Sequence, residues 1–296
     1  MSQKILVTGA SGFLGARIVR KLVEGGHHVK AMVRASSSRR MFAGLPSSQL
    51  EVVEGDVTVG HTVYRSLAGC DRLFHVAALT KFWDRNPSAI EEAAVVGTGE
   101  TLEAARRRHI GDIVYTSSVA TLGTTPDQTE MDETKELNLA DPDAYVRGKK
   151  KAEDIALEHA KETRLVVVQP ASIFGPGDWK PTMSGQTILR FLKWNMPIFD
   201  FPTIGGGINV VDSDDVAQGH LLALEKGRSG ERYILGGENL TYEQVFTILA
   251  EITGLPGPGA PIGKGLAMLA ARLMELRARM GGPDPEASVG MTRDFV

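Results

Sequence analysis

The chain has 296 residues, of which 42% are hydrophobic and 23% charged, and a formal net charge of -3. Its length allows a large core, as one domain with a lobe or two closely joined domains. The charge balance argues against a nucleic-acid partner, and the single cysteine, Cys70, excludes an internal disulfide or a cysteine-built metal cluster. No apolar run approaches a membrane span, and the first four residues lead into a strand-like run with no leader-like apolar core. The expectation is a cytoplasmic protein in a reducing compartment, with no membrane partner and no metal.

Residues 4–8 (Lys-Ile-Leu-Val-Thr) form a short apolar run ending in Gly9-Ala10-Ser11-Gly12-Phe13-Leu14-Gly15. Ile18, Val19, Leu22 and Val23 then follow at helical spacing, and the pattern stops at Gly25-Gly26. Residues 28–33 alternate as a strand, which completes a βαβ unit. Strand patterns recur at 50–53, 72–76, 112–116 and 165–168, between helical stretches at 59–67, 88–108 and 143–162. Such alternation predicts an α/β protein with a Rossmann-type doubly wound parallel sheet. After Pro170 the pattern loosens through Gly175-Pro176-Gly177, Trp179, Pro181, Trp194 and Pro197, an insertion of the kind that forms ligand pockets. A strand at 208–211 and a helix at 214–225 read as a return to the core, and helical patterns at 242–253 and 263–280 complete a smaller lobe. The predicted division is a nucleotide-binding domain at 1–172, with a return near 206–228, and a lobe made mainly of 173–296.

Three features carry chemistry. The glycine turn follows a strand and opens a helix: Gly9 permits a tight turn, Gly12 lets backbone approach a pyrophosphate, and Gly15 allows close helix packing. The second strand ends in Val33-Arg34-Ala-Ser-Ser-Ser-Arg39-Arg40, with no carboxylate to accept from a ribose 2′-hydroxyl. A guanidinium suits a 2′-phosphate, so NADP(H) is the expected cofactor, with NAD(H) the alternative. Finally, Tyr145 and Lys149 lie four apart at the start of a helical run, where they share one face. A fixed ammonium favours phenolate and draws the phenol pKa toward working pH.

With Gly9-x-x-Gly12-x-x-Gly15, Asp56 after the third strand, His75-Val-Ala77-Ala78 after the fourth, Ser117-Ser118 after the fifth and Tyr145-x-x-x-Lys149, the chain resembles the extended short-chain dehydrogenase/reductases over nearly its whole length. The runs at 114–123, Phe174-Gly-Pro-Gly-Asp178 and 230–237 are similar to dihydroflavonol-reductase-like proteins and to bacterial relatives called hopanoid-associated sugar epimerases. The resemblance implies that Tyr145 acts as general acid, that Lys149 lowers its pKa and holds the nicotinamide ribose, and that Ser118 hydrogen-bonds the substrate carbonyl. It also implies a cofactor surface of Ser11, Phe13 and Leu14 in the glycine turn, Asp56 and Val57 at the adenine, small Ala77 and Ala78 at close approach, Thr116 and Ser117, and Pro170 and Ile173. His75 reads as structural. Relatives commonly dimerise through the helices at 88–108 and 143–162, and a homodimer is the expectation here.

Two positions depart from the family pattern: an asparagine expected before Gly97-Thr98 is Ala94, and the serine expected before the catalytic lysine is Gly148. Three functions compete: a carbonyl reductase or alcohol dehydrogenase, a nucleotide-sugar epimerase or dehydratase, and a non-catalytic nucleotide sensor. Val119-Ala120 replaces the acidic pair of the sugar dehydratases, and Gly205-Gly-Gly-Ile-Asn209 lacks the arginine with which epimerases grip a UDP phosphate. Thr80, Phe82, Trp83, Phe174, Trp179 and Met183, with Trp194 and Phe199, are candidates for a largely apolar pocket, which suits a hydrophobic or aromatic carbonyl substrate. A sensor has no need of Tyr145, Lys149 and Ser118 together.

Overall fold

The fold follows from short apolar strands that cannot bury both faces without helices on each side. The computed structural model describes residues 3–79, 83–125, 129–194, 201–285 and 287–295. The first half runs β1 (Lys4–Thr8), α1 (Phe13–Glu24), β2 (His28–Val33), β3 (Leu50–Glu54), α2 (Gly60–Ser66), β4 (Arg72–His75), α3 (Pro87–Arg107), β5 (Asp112–Thr116), α4 (Ala144–His159) and β6 (Arg164–Pro170). The second half runs β7 (Ser172–Phe174), α5 (Met183–Trp194), β8 (Phe201–Ile204), β9 (Gly207–Asp212), α6 (Ser213–Lys226), β10 (Arg232–Leu235), β11 (Glu238–Thr241), α7 (Tyr242–Thr253), β12 (Pro258–Ile262), α8 (Lys264–Arg279) and α9 (Val289–Phe295).

Seven strands form a parallel sheet in the order β10-β6-β5-β4-β1-β2-β3. The alternation of β1 shows why both faces are apolar. Ile5 and Val7 enter one core with α1 and α6, whereas Leu6 enters the other with residues of α2, α3 and α4. Strand order reverses beside β1, which pairs with β2 on one side and β4 on the other. Ligands of open parallel sheets bind beyond the carboxyl ends of the strands at such a switch.

The expected return near 206–228 contains α6, and the return extends beyond it to β10. Arg232 to Leu235 pair with Val167 to Pro170 as an edge strand, and α6 packs on β5, β6 and α1. Residues 207–212 instead form β9, the middle of a three-stranded sheet with β7 and β11. β10 is only four residues long and its partner lies far upstream, so no local pattern marks it. A two-stranded β8–β12 sheet and the helices α5, α7, α8 and α9 make up the rest of the lobe.

The two departures from the family pattern meet in space. A Cβ on Gly148 of α4 would lie 3.0 Å from the Glu91 Cα and 3.3 Å from the Ala94 Cβ of α3. Two small residues let these helices approach closely, and Glu91 then reaches back to Arg147, at 3.2 Å, and to Lys151. Gly148→Val should force α3 outward and lower stability by about 1–3 kcal/mol despite the better helix propensity of valine. Urea denaturation tests this, and an unchanged midpoint would show that the helix pair has room to spare.

Candidate active site

The glycine turn has the geometry of an anion cradle. Gly9 adopts φ +66°, and a side chain there would place Cβ 2.7 Å from the Ala77 backbone, so the ends of β1 and β4 touch. A Cβ on Gly15 would lie 2.2 Å from the Gly9 carbonyl oxygen, which excludes any larger residue. Gly12 donates its N–H to Gly9 O at 2.9 Å and precedes α1 with no capping side chain. No carboxylate occupies the first turn of α1, so the N–H groups around Phe13 and Leu14 and the helix dipole are left for a ligand. These residues fit a dinucleotide pyrophosphate.

Arg34 follows β2 directly and is exposed, while Arg39 is paired with Glu54 at 2.7 Å. Beside Arg34, Asp56 Oδ1 accepts from the Thr58 N–H at 2.9 Å and the Thr58 hydroxyl at 2.7 Å. These bonds, backbone first, hold the Asp56 carboxyl below its ordinary value despite partial burial. Val57 lies against Gly97 of α3. His75 is buried between Thr8 Oγ1, 2.8 Å from Nδ1, and Thr98 Oγ1, 3.4 Å from Nε2, and burial lowers its pKa to about 3. That environment is structural.

The three residues that end β5 diverge. Thr116 Oγ1 meets His220 Nε2 of α6 at 3.0 Å, Ser117 Oγ donates to Glu153 of α4 at 2.5 Å, and the Ser118 hydroxyl lies near enough to the Tyr145 phenol to act on it. Successive side chains of an extended strand point to opposite faces, which separates Thr116 from Ser117. Both hydroxyls are taken up within the protein. Ser118 Oγ also accepts from the Ala120 N–H at 3.2 Å, which fixes its direction.

Tyr145 and Lys149 are both buried on α4, whose first turn is capped by Asp143, which accepts from the Val146 N–H at 2.9 Å. The electrostatics differ from the expectation. Burial pushes the phenol pKa above its ordinary value, and the opposing pull comes from Ser118, not Lys149. Lys149 donates to the Thr116 carbonyl at 3.0 Å, and burial lowers its pKa to about 8 against the raising effect of Glu153. The ammonium is thus a strand-end anchor as well as a charge.

Sequence reasoning missed Glu153. It is fully buried one turn beyond Lys149, and its Oε2 accepts from Ser117 and lies 3.0 Å from both Thr121 Oγ1 and Gln169 Nε2. Its Oε1 faces Arg232 of β10 at 3.5 Å. One carboxylate therefore joins the Ser118 loop, the Tyr145 helix and two strands. The available signal was a carboxylate at the i+4 position from Lys149, on the same helix face.

The substrate-side candidates are dispersed. Trp83 precedes α3 and is half-buried, Phe174 ends β7, Met183 opens α5, and Trp179 stands 70% exposed. Asp178 Oδ2 accepts from Thr182 N–H and Oγ1, at 2.7 and 2.8 Å, and so shapes the entry to α5. Pro170 and Ile173 flank the step from β6 to β7, with Ile173 against the core. Thr80, Phe82 and Phe199 lie outside the described residues, and the side chain of Trp194 is likewise outside them.

Comparison with known proteins matches residues 5–236 to the NAD dependent epimerase/dehydratase family. The chain belongs to that family. A Synechocystis protein provisionally named dihydroflavonol 4-reductase is 40% identical over 264 residues, covering 87% of this chain and 75% of its own. The crystal structure of gox2253 superposes with a TM-score of 0.84 at 35% identity, covering 100% of this chain and 89% of its own. A nucleoside-diphosphate-sugar epimerase from Pseudomonas aeruginosa follows at 0.78 and 26% identity, covering 96% and 88%. Among such family members this chain is an NAD(P)-dependent enzyme of the short-chain dehydrogenase/reductase superfamily.

Removing the buried carboxylate isolates its donors. Glu153→Ala should cost about 3 kcal/mol of stability, since Ser117, Gln169 and Arg232 all lose an acceptor. A denaturant midpoint within error of the parent would show that the network is dispensable.

Proposed function

We propose that this protein is an NADP(H)-dependent carbonyl reductase in which Tyr145 is the general acid. The observation that carries the reading is the convergence of Ser118 and the buried Tyr145 beyond β5, close enough for the hydroxyl to act on the phenol, with Lys149 fastened one turn further to the carbonyl of Thr116. The nicotinamide, when bound, supplies hydride to the carbonyl carbon. Tyr145 gives its Oη proton to the carbonyl oxygen. Burial suits this role, because a phenol held above its ordinary pKa is fully protonated at neutral pH and arrives as an acid. Ser118 donates to the same oxygen and fixes its position against the phenol. Lys149 keeps its anchor on Thr116 and directs its remaining protons toward the ribose hydroxyls.

The basis for NADP(H) is Arg34 directly after β2, where no carboxylate stands to accept from a ribose 2′-hydroxyl. The Ala77 and Ala78 positions support a closely seated cofactor, since Gly9 already touches Ala77. Reduction is preferred to epimerisation because Gly205-Gly206 precedes β9 and Gly207 opens it, where a phosphate-gripping cation would stand. The likeness to the Pseudomonas epimerase keeps epimerisation as the competing reading. The preferred substrate is a ketone or aldehyde with an apolar or aromatic body, and the reaction consumes one NADPH for each carbonyl reduced.

Oxidation of NADPH over a panel of aromatic and aliphatic carbonyls tests the proposal, and Tyr145→Phe should slow turnover by about 10²–10⁴-fold. Interconversion of a sugar nucleotide with no net NADPH use, and no turnover on the panel, would defeat it. For cofactor choice, Arg34→Ala should raise the KM for NADPH about tenfold, or about 1.4 kcal/mol, and leave NADH nearly unchanged. Equal losses for both would remove the 2′-phosphate argument.

The pH profile follows from Lys149. Its cation is favoured below its folded pKa of about 8 and lost above it, so kcat/KM should fall as pH rises through about 8. Lys149→Met should remove that limb along with most of the activity, and a limb that persists in the variant would belong to another group.

A further inference from the structure

Helix α8 is amphipathic with its larger apolar stripe facing outward. Ala267, Ala271 and Ala278 are buried against the body. Leu266, Leu269, Leu273, Leu276 and, at the C-cap, Met280 repeat at alternating spacings of three and four, and their exposure runs from 53% at Leu276 to 74% at Met280. At about 100° per residue the five fall within roughly a quarter turn, about half a turn from the buried alanines. Among the described residues no element flanks leucines so exposed, so the stripe is a ridge and not a groove.

The margins of the ridge are cationic. Arg277 borders one side, and Arg272 with Arg279 borders the other, in a chain whose net charge is -3. The helix has a single carboxylate, Glu275, which accepts from the Val289 N–H at 2.7 Å and lies 3.7 Å from Arg279. Two copies of this ridge placed face to face would therefore oppose arginine to arginine with no carboxylate row to answer them. An apolar ridge with basic margins complements a surface that is apolar beneath and anionic above.

We propose that α8 docks this protein on an anionic lipid bilayer, lying in the interfacial plane with its leucine ridge in the acyl boundary and its arginines among the headgroups. No helix among the described residues is long and apolar enough to cross a membrane, and an interfacial helix needs no such span. The proposal revises the sequence-based expectation of no membrane partner, and it is independent of the catalytic reading.

Co-sedimentation of the full chain with vesicles of phosphatidylcholine, alone or mixed with phosphatidylglycerol, is the test. Mixed vesicles should bind the protein at least about tenfold better than neutral ones at low salt, with the difference shrinking as salt rises. Leu269→Asp with Leu273→Asp, and separately Arg272→Glu with Arg277→Glu, should each reduce binding about tenfold while thermal unfolding stays unchanged, as these side chains are exposed. Equal binding to both vesicle types, no binding to either, or retention by both variants would overturn the proposal. So would a concentration-dependent dimer in light scattering that the leucine variant dissociates, because a second copy would then cover the ridge.

Discussion

The constraint on which the site depends is a fully buried carboxylate. Glu153 is fully enclosed, and an isolated charge there would be prohibitive unless hydrogen-bonded and paired. Ser117, Thr121, Gln169 and Arg232 answer it from the β5 loop, β6 and β10. Because these partners belong to separate segments, satisfying one group aligns all of them. Ser118 is the neighbour of one partner, and Tyr145 and Lys149 lie on the same helix as the carboxylate. The catalytic candidates thus inherit their relative position from a group that need not touch a substrate.

The electrostatics of the pair gain from the same arrangement. Tyr145 and Lys149 both lose solvent, and burial moves each toward its neutral form, the phenol upward and the ammonium downward. Glu153 opposes this for the lysine and keeps its pKa from falling further. The site rests with a neutral phenol and with an ammonium held on a strand-end carbonyl, a state prepared to donate a proton. Spacing on a helix brings two groups to one face, but their solvation decides their charge.

The Rossmann half was largely legible because its signals are local. The apolar run of β1, the glycine turn and the amphipathic α1 are contiguous, and each residue answers a requirement of its immediate backbone: φ +66° at Gly9, or 2.2 Å of clearance at Gly15. The lobe was less legible. β7, β8, β11 and β12 are three to five residues long, and each is stabilised by a partner strand and by helices that pack on it. The leucines of α8 carry a clear helical period, yet the period does not say which face meets the body. The smaller alanine face does so, and this leaves the leucines outward.

By itself the sequence determined the order of strands and helices in the Rossmann half, the turn that can approach a pyrophosphate, and the placement of Tyr145 and Lys149 on one helix face. Each depends on residues close along the chain, where backbone geometry leaves little choice. Only the tertiary structure decided that Ser117 serves Glu153 while Ser118 serves Tyr145, that Lys149 is anchored on Thr116, and that β10 completes the main sheet. Those outcomes turn on which distant segment supplies a partner and on how much water is removed. Neither quantity is carried by residue type or spacing.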